Sequence, residues 1–206
     1  MRKMLVKEVA EKGIKDQRIL EAMLKVPRHF FFDRIFDNHA YEDKAFPIGE
    51  GQTISQPYTV AFQTELLEIK RDHKILEIGT GSGYQASILL ELGAEVHTIE
   101  YVKKLHLRAK KLLTKMGYSP HFYHGDGSKG LAEMAPYDGI IVTAGAPTVP
   151  NELLHQLKVG GHLVIPVGEG KQQVMVKLTK ATQTKIIRKE FNSFSFVPLR
   201  GEKGVK

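Results

Sequence analysis

The chain has 206 residues and a formal net charge of +7; 42% of its residues are hydrophobic and none is cysteine. This composition is typical of one globular domain, the missing cysteines exclude disulfides and thiolate chemistry, and no apolar run reaches the ~18 residues of a membrane span. Since the N-terminal residues carry charges where a secretory signal has its apolar core, we expect a cytoplasmic protein.

The N-terminal part of the chain, residues 1–53, is predicted to form a helical layer followed by an irregular segment. An approximate apolar stripe predicts helices up to about residue 33, with a break at Gly13 and an end at Pro27. Three consecutive phenylalanines, at 30–32, are expected to anchor this layer to the rest of the chain. Residues 34–53 contain a proline and two glycines and are predicted to be irregular and partly extended.

A third helix is predicted to begin at the sequence Ile54-Ser55-Gln56-Pro57. Ser55 or Gln56 can serve as the N-cap. Pro57 suits the first helical position, because a backbone N–H there would have no intrahelical partner. The helix is predicted to continue from Tyr58 to residue 69.

From residue 74 onward, predicted strands and helices alternate. The strands are expected near residues 74–78, 95–99, 121–125, 138–143 and 161–166, and the helices near residues 84–92, 102–116 and 150–157. This alternation predicts a parallel, doubly wound sheet with right-handed crossovers. Two further extended stretches, near 173–180 and 185–196, have no helix between them and are predicted to form an antiparallel pair.

The first strand of this series leads into a glycine-rich loop. Its apolar run carries Glu77, and Gly79, Gly81 and Gly83 follow at alternate positions. Glycines let backbone approach a ligand where a Cβ would obstruct it, and open α/β sheets bind ligands at this edge. A dinucleotide fingerprint would need glycine at position 84, where this chain has Tyr84. The E-x-G-x-G-x-G spacing instead resembles motif I of the S-adenosylmethionine-dependent methyltransferases.

Acidic residues follow the next two predicted strands. Glu100 lies at the end of the second strand, at the ~20-residue spacing from the loop that is typical of a ribose-binding acid. Asp126 lies between two glycines after the third strand. Its carboxylate can accept a hydrogen bond from an adenine amino group, and Gly127 would let backbone reach a ring nitrogen. A helix-capping Glu and an ordinary Asp-Gly turn are the alternative interpretations.

The fourth predicted strand ends in small residues, Thr143-Ala144-Gly145-Ala146-Pro147. Methyltransferases that act on the amino nitrogens of bases usually carry N/D-P-P-aromatic here, so this segment disfavours that class. The small side chains fit a substrate whose backbone lies close. The nine histidines show no ligand spacing, so no metal site is expected.

Several segments together resemble the protein-L-isoaspartate O-methyltransferase family. The resemblance runs in family order from about residue 40 to 200. It is carried by Ile54-Ser55-Gln56-Pro57-Tyr58-Thr59-Val60-Ala61, the glycine loop, Gly125-Asp126-Gly127, Ala135-Pro136-Tyr137-Asp138, the segment from Thr143 to Pro147, and Phe196-Val197-Pro198-Leu199. One departure is Val60, where many family members carry histidine.

The resemblance implies a Rossmann-like methyltransferase sheet in residues 54–206, with residues 1–53 supplying the N-terminal helices and a segment on the substrate side. It implies methyl transfer from S-adenosylmethionine to the free α-carboxylate of L-isoaspartyl residues, with S-adenosylhomocysteine as product. The ester re-closes to a succinimide, whose hydrolysis restores some normal linkages. The site residues implied are catalytic Ser55; cofactor-binding Thr53, Ile54, Glu77, Gly79, Gly81, Gly83, Glu100, Asp126 and Gly127; and substrate-binding Thr143, Ala144, Ala146, Val197 and Leu199.

Two other functions are compatible with parts of this pattern. The basic net charge would suit an RNA methyltransferase, although the chain has no obvious basic tail or separate RNA-binding module. A non-catalytic nucleotide-binding module would not need Ser55, Glu100 and Asp126 together. We therefore expect a monomeric repair enzyme whose partners are isoaspartyl proteins and peptides, without a nucleic-acid or membrane partner.

Overall fold

The computed structural model describes residues 1–201 and has the predicted α/β architecture. The central sheet of this part of the chain is formed by β3 (Lys74–Ile78), β4 (Glu95–Glu100), β5 (His121–His124), β6 (Tyr137–Val142), β7 (Leu157–Val167), β8 (Gln173–Lys180) and β9 (Ile186–Phe194). The helices are α1 (Arg2–Glu11), α2 (Gln17–Lys25), α3 (Pro57–Leu67), α4 (Tyr84–Glu91), α5 (Lys103–Lys115) and α6 (Asn151–His155). Within the described range, no helix has the length and hydrophobicity that crossing a membrane requires.

The sheet has the strand order β5-β4-β3-β6-β7-β8-β9. The five strands from β3 to β7 pair in parallel, whereas β8 pairs antiparallel with both β7 and β9. Parallel strands covered by helices on both faces consist of nearly continuous apolar residues, and β6 and most of β3 are buried in this way. Both the parallel sheet and the antiparallel C-terminal pair are confirmed.

The direction in which the chain winds reverses between β3 and β6. From β3 the chain continues to β4 and β5 on one side, and it then returns to build β6 and β7 on the other. In open α/β sheets such a reversal leaves a crevice at the carboxyl ends of the strands, because the flanking loops diverge there. The glycine loop after β3 therefore lies at the mouth of this crevice.

The N-terminal helices form a layer against α3 and α4, as predicted. Their buried stripe includes Val9, Ile19 and Met23, but Leu24 lies at its exposed margin. Phe31 and Phe32 are buried, whereas Phe30 is 54% exposed and does not take part in the anchor. The second helix ends at Lys25, next to the predicted end at Pro27, and two short 3-10 turns follow at Arg28–Phe31 and Arg34–His39.

A β-hairpin occupies the segment that was predicted to be irregular. Its strands are β1 (Phe46–Gly49) and β2 (Gln52–Ile54), joined through Glu50 and Gly51. Both turn residues have positive φ, 54° and 69°, as the two central residues of a tight type I′ hairpin require. The glycines on either side of Glu50 were the sequence feature that could have indicated this turn. This hairpin brings Ile54 and Ser55 to the edge of the crevice.

The start of α3 agrees with the prediction, and its N-cap is one of the two residues predicted for that role. Pro57 occupies the first turn and Gln56 is the N-cap residue, although the Gln56 side chain makes no capping hydrogen bond. Instead the carboxylate of Asp43 accepts a hydrogen bond from Tyr58 N–H at 2.7 Å. The same carboxylate is paired with Lys12 and is 2% exposed. Ser55 consequently lies before the cap and is not needed to start the helix.

Candidate active site

A cleft lies where the winding reverses, between the ends of β3, β4 and β6. The hairpin of β1 and β2 and the segment 197–200 close its other sides. This segment is held in place because Leu199 N–H donates to Gly145 O and Gly145 N–H donates to Val197 O. Of the predicted site residues, those lining the cleft are Thr53, Ile54, Ser55, Gly79, Gly81, Glu100, Gly127, Thr143, Ala144, Val197 and Leu199.

The glycine loop closes one end of the cleft with its backbone. Gly79 and Gly81 have φ values of 96° and 54°, which favour glycine. A Cβ at Gly79 would also lie 2.5 Å from Oγ1 of Thr143, whose hydroxyl donates to the Gly79 carbonyl at 2.6 Å. The loop after β3 is thereby tied to the end of β6. The cleft wall here is backbone that no larger residue could replace without displacing Thr143.

Glu100 fixes the other side of the same loop. Its Oε2 accepts from Gly81 N–H at 2.7 Å and its Oε1 accepts from Val102 N–H at 2.8 Å. The residue is only 5% exposed, yet it lines the cleft. Each carboxylate oxygen has two acceptor positions, so both oxygens keep one for ligand hydroxyls. Glu100 can therefore shape the loop and bind a ribose at the same time.

Glu77 lies beneath the cleft and not on its wall. The residue is fully buried, and its Oε2 accepts a hydrogen bond of 2.5 Å from the Thr98 hydroxyl. Burial raises the pKa of Glu77 to about 8, against the opposing effect of the Thr98 hydrogen bond. Direct contact with a cofactor stays a prediction, and the geometry supports a role in holding β3 to β4 below the loop.

The raised pKa of Glu77 predicts a pH-dependent stability. Between its ordinary value near 4.5 and about 8, the folded chain holds a proton that the unfolded chain releases. The free energy of unfolding should therefore fall across this window, by up to about 1.4 kcal/mol per pH unit. Glu77→Gln removes the titration, so its unfolding free energy should decline less steeply between pH 5 and 8 in urea denaturation.

Glu95→Gln is the matched control for that measurement. Glu95 lies on β4, with its side chain 47% exposed and its pKa lowered by the hydrogen bond with His97. It should keep the wild-type slope between pH 7 and 8, where His97, whose pKa is lowered by burial, is neutral in both proteins. Equal slopes for wild type and Glu77→Gln would show that Glu77 is ionised in the fold.

Three other predicted residues also lie outside the cleft wall. Gly83 begins α4 at φ 90°, and a Cβ there would come within 2.3 Å of the Leu113 side chain, so its visible role is close packing of α4 on α5. Ala146 is fully buried and bridges to Val167 of β7. Asp126 accepts hydrogen bonds from the backbone and hydroxyl of Ser128. Their contacts with cofactor or substrate stay predictions.

A second concavity, here called the side pocket, adjoins the cleft beyond Ser55. It is bounded by the start of α3 and by residues 193–197, which comprise the last two residues of β9 and the three that follow them. Thr53, Ser55, Thr143 and Val197 line both the cleft and the side pocket. Within residues 1–201 no charged side chain lines the side pocket. Any ligand there meets hydroxyl, amide, aromatic and backbone groups.

Ser55 is half-buried at the junction of the cleft and the side pocket. Its hydroxyl makes no hydrogen bond within the described part of the chain, so it can bond to a ligand without breaking an internal contact. Its position is set by its neighbours: Ile54 pairs with Phe46 in the hairpin, and the carboxylate of Asp43 holds both the Gln56 side chain and the start of α3. The role of Asp43 was not predicted from the sequence, because no local pattern relates this residue to residue 58.

A polar cluster of Glu95, His97 and His121 lies away from the cleft. Strand register places His97 beside His121, and the potential ligand atoms of the three residues lie within 4.8 Å of one another. His97 hydrogen-bonds to Glu95 at 2.9 Å, and burial lowers the pKa of His97. Glu95 is the first residue of β4 and Glu100 is its last, so the cluster and Glu100 lie toward opposite ends of this strand. The spacing of the histidines in the sequence did not indicate this cluster, because its residues come from two different strands.

The donor and acceptor set of the cleft fits an adenosine-containing sulfonium. Glu100 offers acceptors for ribose hydroxyls, the glycine loop offers a wall of backbone, and the apolar side chains of Ile54, Ile78 and Ile99 line part of the remainder, together with polar side chains and Arg200. The winding reversal, the E-x-G-x-G-x-G loop and an acid ending β4 together define a methyltransferase that uses S-adenosylmethionine.

Comparison with known proteins narrows this class to one family. The family model described as protein-L-isoaspartate(D-aspartate) O-methyltransferase matches residues 1–204. A protein-L-isoaspartate O-methyltransferase of Cytophaga hutchinsonii is 58% identical over 204 residues, covering 99% of this chain and 92% of the relative. The chain belongs to the protein-L-isoaspartate O-methyltransferase family.

Solved structures show the same relationship. One protein-L-isoaspartate O-methyltransferase superposes with a TM-score of 0.89 at 28% identity, covering 98% of this chain and 67% of that one. Another, from Plasmodium falciparum and in complex with S-adenosyl-L-homocysteine, has a TM-score of 0.82 at 25% identity and covers 97% and 98% of the two chains. These matches confirm the Rossmann-like methyltransferase fold.

Proposed function

We propose that the chain transfers a methyl group from S-adenosylmethionine to the free α-carboxylate of L-isoaspartyl residues in proteins and peptides, with Ser55 as the catalytic residue. The observation that carries this assignment is the position of Ser55. Its hydroxyl, free of hydrogen bonds within residues 1–201, lies where the cleft meets the side pocket. A cofactor in the cleft and a peptide in the side pocket would meet at this residue.

The cleft supplies the contacts that would hold the cofactor. Glu100 would accept hydrogen bonds from the ribose hydroxyls, and the loop from Gly79 to Gly81 would pass its backbone along the amino-acid portion. Gly127, which also lines the cleft, would approach the adenine. When bound, S-adenosylmethionine supplies a positively charged, electrophilic methyl group.

A neutral hydroxyl suits the chemistry at this junction. A carboxylate of pKa ~4 is already ionised near neutral pH, so no general base is needed. Attack on a sulfonium methyl consumes both charges, and a lysine or arginine clamp would stabilise the charged ground state more than the transition state. Ser55 can orient one carboxylate oxygen without that penalty, and the side pocket adds no charged side chain.

The side pocket fits a peptide better than a nucleic acid. RNA binding depends on lysine and arginine that neutralise phosphates, and none lines the side pocket in the described chain. Tyr58, Phe194 and Phe196 offer aromatic surface, and Ser193 and Ser195 offer hydroxyls to an extended backbone. Thr143 and Ala144, small residues opposite Ser55, leave room for the displaced backbone of an isoaspartyl linkage.

The proposal predicts selectivity between two isomeric peptides. A peptide with one isoaspartyl linkage should accept a labelled methyl group from S-adenosylmethionine, and the same peptide with a normal aspartyl linkage should not. The reason is that the extra backbone carbon in the isoaspartyl linkage places a main-chain α-carboxylate where the side chain would be. Comparable turnover of both peptides would show that the site recognises only a carboxylate. Methylation of bulk RNA in the same assay would favour the RNA methyltransferase alternative.

Other properties of the chain stay predictions from its sequence. We infer that residues 1–206 form one domain; the packing of α1 and α2 on α3 and α4 supports this. A monomeric state, a cytoplasmic location and the absence of a nucleic-acid partner belong to the same proposal. Sedimentation of the purified protein with and without RNA would test the first and the last of these three.

A further inference from the structure

Gln85 is a polar residue of the cleft that has none of the roles predicted from the sequence motifs. It is the second residue of α4, directly after the glycine loop, and it is 6% exposed while lining the cleft. Long polar side chains this deeply buried are normally hydrogen-bonded at both ends of the amide. Only one end of this amide has a partner within residues 1–201.

The orientation of the amide follows from a chain of hydrogen bonds. The Thr64 hydroxyl donates its single hydrogen to Val60 O at 2.7 Å, so its oxygen is left to act as an acceptor. Gln85 Nε2 donates to that oxygen at 2.9 Å. The amide nitrogen is therefore directed at α3, and Oε1 is the atom without a partner in this part of the chain.

A buried acceptor without a donor is unfavourable by about 1–3 kcal/mol, so this oxygen requires a donor. Since Gln85 also lines the cleft, a ligand there can supply the donor once it reaches this oxygen, which the surrounding atoms cover. The adenosine contacts proposed above lie on the β4 and β5 side, at Glu100 and Gly127. Gln85 instead directly follows the glycine loop, along which the amino-acid portion was placed above, and its side chain is tied to α3.

We propose that Gln85 Oε1 accepts a hydrogen bond from the α-amino group of the methionyl portion of S-adenosylmethionine. The inference rests on the proposed function, since it assumes that this cofactor occupies the cleft. An ammonium is a donor without acceptor capacity, which suits a lone carbonyl oxygen, whereas the α-carboxylate would be repelled. Val60 lines the same cleft and offers only an apolar surface. Gln85 supplies a polar group there.

Binding calorimetry with two ligands tests this contact. S-adenosyl-L-homocysteine carries the amino group, and 5′-methylthioadenosine lacks the whole amino-acid portion. Gln85→Leu keeps the approximate volume but removes the acceptor, and should weaken S-adenosyl-L-homocysteine about ten- to a hundredfold, as for a lost hydrogen bond to a charged group. Its affinity for 5′-methylthioadenosine should stay within about twofold, and melting temperatures should accompany each titration.

Thr64→Val is the second variant, and it keeps the proposal testable should Gln85→Leu fail to fold. It removes the tether and leaves the amide, so S-adenosyl-L-homocysteine should weaken several-fold, again without change for 5′-methylthioadenosine. An equal loss for both ligands, or no loss for either, would overturn the proposal. Failure of the wild-type protein to bind S-adenosyl-L-homocysteine would instead overturn the proposed function, so the two failures are distinguishable.

Discussion

Ser55→Ala is expected to lower kcat on an isoaspartyl peptide by about ten- to a hundredfold, while affinity for S-adenosyl-L-homocysteine changes by less than about threefold. Removing one neutral hydrogen bond that orients the carboxylate should raise the barrier by about 1–3 kcal/mol. The hydroxyl lies at the junction with the side pocket, so the adenosine contacts in the cleft should be unaffected. Single-turnover kinetics and calorimetry measure the two effects separately.

The fold allows the catalytic effect of Ser55→Ala to be measured without a change in stability. A serine at an N-cap would lose about 1 kcal/mol of stability on replacement by alanine. Here Gln56 is the N-cap and Asp43 binds the first free N–H, so the melting temperature of Ser55→Ala should stay close to wild type. Ser55→Thr keeps a hydroxyl but adds a methyl group and should give an intermediate rate.

Ser119→Ala is the matched control, since Ser119 is exposed in the loop before β5. It should retain wild-type kinetics. A wild-type kcat for Ser55→Ala at saturating peptide would remove Ser55 from catalysis and leave positioning to the backbone.

Glu100→Ala should have the largest effect on cofactor binding. The variant loses the acceptors for ribose hydroxyls and also the bonds that fix Gly81 N–H and Val102 N–H. Each charged hydrogen bond contributes about 1.5–3 kcal/mol, so calorimetry should show a loss of tenfold or more for S-adenosyl-L-homocysteine. The melting temperature should fall as well, because the N–H groups of two half-buried residues lose their partner.

Glu100→Gln separates the two contributions. Its amide oxygen can still accept from one of the two N–H groups, while its NH₂ opposes the other, so the affinity should lie between wild type and Glu100→Ala. Glu95→Ala, at the other end of β4, should leave affinity unchanged. If Glu100→Ala binds as tightly as wild type while folded, Glu100 is only a structural link between β4 and the loop.

Much of the fold could be predicted from the sequence because its signals are local. The alternation of apolar runs with amphipathic segments predicted the parallel sheet. The break between the N-terminal helices at Gly13 and the start of α3 at Pro57 depend on the backbone preferences of single residues. The hairpin of β1 and β2 was missed because strands of four and three residues carry too few side chains to show a period.

The site was predicted less completely, since residue type and spacing do not show which way a side chain faces. Ser55, Gly79, Gly81 and Glu100 do line the cleft. Glu77 is only two residues from Gly79 in the same motif, but it is buried below the loop against Thr98. Gly83, in the same glycine series, makes room for Leu113 of a helix thirty positions later.

The sequence by itself determined the class of fold, the family and the types of residue that the chemistry uses, because these depend on patterns within a few neighbouring positions. Only the tertiary structure decided which residues share the cleft. Asp43 holds the start of α3 from fifteen positions away, and Thr64 orients Gln85 from another helix. Such contacts depend on how distant segments pack, and no periodicity within either segment encodes its partner.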